Sequence, residues 1–89
     1  MNTKNFAETM KIFTDRLGVT AVDFEFKNDR FISTDTIVLD EDDPIEYLIV
    51  VKVINNVGTV VIGYSDGIKF TETETLGQII CENDTWNIV

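Results

Sequence analysis

The sequence has no histidine, one cysteine and one proline in 89 residues, and seven lysines and arginines against sixteen aspartates and glutamates. Each shortage excludes something. Without histidine there is no Ser-His or Cys-His dyad, no histidine-ligated zinc and no imidazole base. Cys81 has no partner for an internal disulfide, so nothing points to an oxidising compartment. It reads as a small buried apolar residue. Gly58, Gly63 and Gly67 suit turns and a strand, not a phosphate-cradling loop. The longest unbroken apolar run, Tyr47 to Val51, is far short of a membrane span. The opening MNTKNFAETM lacks the apolar stretch of a signal peptide, so the expected location is cytoplasmic.

The charge that is present is uneven. The formal net charge is −9. Residues 1–30 hold five acids and five bases and net to zero; residues 31–89 hold eleven acids and only Lys52 and Lys69. Such a field repels nucleic acid and anionic membrane and draws in basic partners. Direct nucleic-acid binding is therefore not expected.

With 44% apolar residues the composition is that of one small globular domain. Phe6, Met10, Phe13 and Leu17 are spaced 4, 3 and 4. That stripe predicts an amphipathic helix over about 5–17, with Asn5 and Glu8 in a capping arrangement and Gly18 as its stop. From Ala21 the period falls to 2. Val22, Phe24 and Phe26 alternate with charged residues, KNDR turns the chain, and Phe31 to Leu39 reads as one further strand. Ile45 to Ile54 is the strongest strand, its middle covered on both faces.

Beyond it, NNVG turns into a strand over Thr59 to Tyr64, and SDG at 65–67 marks a hairpin leading to Ile68–Thr73. The tail fits either a short helix through Leu76, Ile79 and Ile80 or a hairpin turning at Asn83-Asp84; Gly77 favours the hairpin. The expected fold is α+β: an N-terminal helix packed on an antiparallel β-meander of four to six strands.

The chemistry must then come from acids. Asp40, Glu41, Asp42 and Asp43 adjoin the most apolar stretch, and Glu72 and Glu74 recur in TETET. A calcium loop starting at Asp40 needs Gly at position 6 and Glu at 12, but Ile45 and Val51 stand there and Pro44 removes a ligand. No metal site is assigned. Acid–base catalysis by paired carboxylates needs a pocket that raises the pKa of one of them, which an exposed loop does not supply. No enzymatic activity or cofactor is expected. In a flat strand Glu72 and Glu74 lie on one face, about 6.6 Å apart. With Glu82, Asp84 and the 40–43 run they would form a broad negative surface.

The function expected is therefore a non-enzymatic acidic binding protein that occupies a basic surface of a protein partner. That partner can be a nucleic-acid-binding one, with the domain acting as a viral-type inhibitor that mimics nucleic-acid charge. The binding residues are Asp40, Glu41, Asp42, Asp43, Glu72 and Glu74. The same acids also serve as gatekeepers beside a sticky strand, and TETET as edge protection. Two alternatives stay open. One is a homo-oligomeric assembly module joined through Trp86 and Ile88. The other is a small-ligand binder stacking its ligand on Tyr47, Tyr64 or Trp86, with Lys27, Arg30, Lys52 and Lys69 converging on it.

Overall fold

The computed structural model describes residues 3–89. Helix α1 (Thr3–Leu17) precedes seven strands: β1 (Phe24–Lys27), β2 (Arg30–Ser33), β3 (Ile37–Asp40), β4 (Asp43–Ile54), β5 (Val57–Ser65), β6 (Phe70–Glu82) and β7 (Thr85–Ile88). The helix lies against a curled, wholly antiparallel sheet, a half-barrel, so the expected α+β architecture is present. Among the described residues no helix is long and apolar enough to cross a membrane.

The helix forms where its stripe predicts. Phe6, Met10 and Phe13 are at most 2% exposed. Gly18, at φ 73°, ends it: the Gly18 N–H donates to the Asp15 carbonyl (3.1 Å) and the Val19 N–H to the Thr14 carbonyl (3.1 Å). These are the two bonds of a Schellman cap, which needs a left-handed residue where Gly18 stands. The N-terminal expectation is corrected. Asn5 lies inside the described helix, Thr3–Leu17, and does not cap it; the Asn5 side-chain oxygen accepts the Trp86 backbone N–H. A buried strand amide with no ladder partner takes the acceptor that a helix start would otherwise use.

The sheet order is β1-β2-β4-β5-β6-β7, with β3 paired to β4 alongside β2. Three hairpins turn on two residues with positive φ: Asn28-Asp29, Asn55-Asn56 and Asn83-Asp84. Asn and Asp tolerate that region best among non-glycine residues, and turns of this hand match strand twist. The tail is therefore the hairpin that Gly77 favours.

Phe31 to Leu39 is not one strand. The chain leaves the ladder after Ser33 and returns at Ile37, so β2 pairs with the second half of β4 (Phe31 opposite Val51) and β3 with the first (Ile37 opposite Tyr47). At the break Ser33, 4% exposed, stands in for a strand: its Oγ accepts the Ile49 N–H at 3.0 Å. The polar stretch Ser33-Thr34-Asp35-Thr36 was the sign of this break.

One face of the sheet joins Phe31, Ile49, Val51, Val60, Ile62, Ile79 and Trp86 to the helix residues. Phe6 stacks on Phe31 with ring centroids 3.7 Å apart, and Trp86 meets both rings edge-on. Burying each of these large side chains contributes roughly 1.5–3 kcal/mol. The other face buries Val50 (4%) and Val61 (0%), as the continuous apolarity of β4 predicts. Two irregularities in the β5–β6 ladder, at Leu76 and Thr73, leave one extra residue each in β6. The Thr73 hydroxyl donates to the Ile62 carbonyl at 3.0 Å. Bulges of this kind bend a strand, and here they accompany the curl.

Candidate binding surface

The four consecutive acids fall at the tip of the β3–β4 hairpin. Asp40 and Asp43 are directly opposite, and Glu41 and Asp42 make the turn between them. Neither turn residue has positive φ, unlike the three asparagine-led turns. The Asp40 Oδ1 accepts the Asp42 N–H at 2.9 Å, a local bond that holds the turn. All four acids are exposed, and among the described residues none forms an ion pair.

The tip stands away from the rest of the sheet. Pairing of β4 with β5 begins only at Leu48, so residues 43–47 of β4 carry β3 on one side and no strand partner on the other. Pro44, which lacks an N–H, sits in this part. Along β4 the tip is nine residues from Lys52, roughly 30 Å at about 3.3 Å per residue. Lys52 belongs to a cross-strand row with Arg30 and Lys27. Acidic tip and basic row are thus several Debye lengths apart, and the row screens little of the tip's field.

Glu72 and Glu74 do not join the tip, nor each other. Glu72 is opposite Gly63 and Glu74 opposite Ile62, because the bulge at Thr73 intervenes. Consecutive β5 residues point to opposite faces, so the two glutamates do as well. The expectation that they share a face is therefore corrected: the alternation in TETET is regular, but its ladder is not. Glu72 is also engaged, with its Oε1 2.7 Å from Lys52 Nζ. Glu82 and Asp84 lie at the β6–β7 turn.

The aromatic and basic alternatives are redistributed as well. Trp86 is 1% exposed and packed on Phe6 and Phe31, so it offers no surface for a second copy or a stacked ligand. Tyr47 is half-buried against the core, and Tyr64 is 39% exposed. Lys27, Arg30 and Lys52 do converge, while Lys69 lies in the β5–β6 loop. Cys81 is half-buried against the core.

Two features escaped sequence reasoning. Val38 and Leu39 (each 43% exposed) and Ile45 (40%) place apolar surface directly beneath the acidic tip. A groove of about 360 Å³ also runs beside β3, lined by Gly18, Val19, Thr20 and Val22 from the α1–β1 loop and by Thr36, Ile37 and Val38. Neither could be read from spacing, because both depend on β3 being a separate strand. Among the described residues no three potential ligand side chains are grouped to hold a metal ion. Compared with known proteins, the chain matches no family model, no curated protein and no solved structure.

Proposed function

We propose that this is a non-enzymatic binding protein whose β3–β4 hairpin tip, Asp40 to Asp43, engages a basic surface of a protein partner. The observation that carries this reading is the direct opposition of Asp40 and Asp43 at an exposed tip whose acids form no ion pair among the described residues. Like charges at directly paired positions destabilise a hairpin by roughly 0.2–1 kcal/mol. A lysine- or arginine-rich partner relieves that repulsion on binding, and the uncovered field speeds its approach. Partners that grip phosphates present such a surface, so the tip would compete there with nucleic acid. Glu72 is assigned to the sheet's own ion pair and Glu74 to the opposite face, which leaves the tip as the recognition element.

The test is capture of partners from lysate at low and high salt, with the wild type beside a folded Asp42→Lys/Asp43→Lys variant. The expected result is a basic protein that is lost on raising salt and lost again on charge reversal. A partner retained under both treatments would refute the electrostatic reading.

A further inference from the structure

Besides the half-paired stretches of β4 (43–47) and β6 (70–78), three strands, β1, β3 and β7, have no strand on their outer side among the described residues, and they are treated differently. The β7 edge is closed by the helix: the Trp86 N–H donates to the Asn5 side chain, and the Trp86 carbonyl accepts the Thr9 hydroxyl at 3.2 Å. The β1 edge alternates Glu25 and Lys27 with aromatic residues, a mixed-charge strand of the kind that discourages pairing. The β3 edge has neither protection. Among the described residues no strand pairs with its outer side, and the groove of about 360 Å³, of mixed polar and apolar lining, lies between β3 and the α1–β1 loop.

We infer that this edge accepts an extended segment of the basic partner as an added strand, seated between β3 and the α1–β1 loop. The inference rests on the hairpin being the binding element, and it specifies how the partner is held. An added strand satisfies the outward N–H and C=O groups of residues 37–40 and sets its side chains alternately on either face. Those near Val19, Val22, Ile37 and Val38 meet apolar surface. Those at the far end meet Asp40 to Asp43. The occupant is therefore apolar in its middle and carries Lys or Arg beyond it. A second copy of this chain is a poor occupant: parallel pairing through β3 sets another Asp40–Asp43 run beside the first, and antiparallel pairing carries that run to the far end and brings no cation to the tip. Charge complementarity selects a cationic strand instead.

The probe is the peptide Lys-Lys-Val-Thr-Val-Lys-Lys, cationic at both ends so that either strand direction places charge at the tip. Its control is the same peptide N-methylated on both valines and the threonine, which keeps every charge and removes the central N–H donors. Affinity is measured at low salt, and amide hydrogen exchange is followed along the chain. The expected result is binding of the unmodified peptide with slowed exchange in β3, weakened roughly tenfold or more by methylation. Equal affinity of the two peptides, or protection confined to segments other than β3, overturns the added-strand inference while leaving an electrostatic tip intact. If the unmodified peptide also binds the Asp42→Lys/Asp43→Lys variant undiminished, the reading of the tip itself fails. Absence of binding by either peptide overturns both; protection of β3 by self-association without peptide overturns the added-strand inference alone.

Discussion

Lys52 and Glu72 join β4 to β6 across the intervening strand, with Nζ 2.7 Å from Oε1. Lys52 is opposite Thr59 and Glu72 opposite Gly63, so the pair spans the face of β5 on which Val61 lies between them. Val61 is fully buried although, among the described residues, no second helix or sheet covers that face. The long lysine stem and the glutamate thus shield an apolar residue while their charged ends stay wet.

This pair is 46% and 40% exposed, so its direct contribution is small. Glu72→Gln is expected to lower stability by no more than about 1 kcal/mol in urea unfolding, an effect that shrinks as salt rises. Lys52→Ala is expected to cost more than Glu72→Gln, because it also uncovers Val61. Neither change is expected to weaken partner capture as Asp42→Lys/Asp43→Lys does. Equal loss from Glu72→Gln would return that residue to the recognition surface.

The tip makes an opposite prediction for stability and binding. Asp43→Lys replaces a like-charged cross-strand pair by an opposite one. The domain should become more stable by roughly 0.5 kcal/mol, read from the urea midpoint, while affinity for a cationic partner falls. A destabilised Asp43→Lys protein would mean that the tip carboxylates hold the turn more than they strain it.

Ser33 offers a sharper structural test. Its Oγ is the acceptor for the buried Ile49 N–H at the gap between β2 and β3. Ser33→Ala strands that donor and is expected to cost about 1–3 kcal/mol. Amide exchange should accelerate at Ile49 first. Trp86, the only tryptophan and buried in the core, supplies the fluorescence signal for all of these unfolding measurements.

Acid should act through the β5–β6 loop. The Lys69 and Ile68 backbone N–H groups donate to the Asp66 carboxylate at 2.9 and 2.8 Å and hold its pKa below the usual carboxylate value. A lowered pKa in the folded state means that the stabilisation is fully present above the unfolded value, about 3.9, and is lost as pH falls through the lower, folded one. The stability difference between wild type and Asp66→Asn should therefore be constant near neutrality and narrow below about pH 4. A difference independent of pH down to acid would show that the carboxylate's charge does not hold this loop.

Local and periodic features were legible before folding. The spacing of Phe6, Met10 and Phe13 dictates a helix with one buried face, and Gly18 its end. Alternation in Phe24–Lys27 and the continuous apolarity of β4 from Leu48 to Val51 dictate strands, because side-chain period and backbone geometry are coupled within a few residues. The acidic run was legible as exposed, since nothing in its composition could be buried.

Three decisions belonged to the tertiary structure alone. The break at Ser33 depends on a hydroxyl meeting Ile49, sixteen residues away. The bulge at Thr73 reverses the faces of Glu74 and Thr75 until the bulge at Leu76 restores the alternation, and only pairing with β5 reveals it. The open edge of β3 exists because β2 and β3 share one side of β4. Sequence determines which residues can be buried and which turns can form; register between distant strands, set by packing of both faces at once, decides which charges meet and which edge stays free.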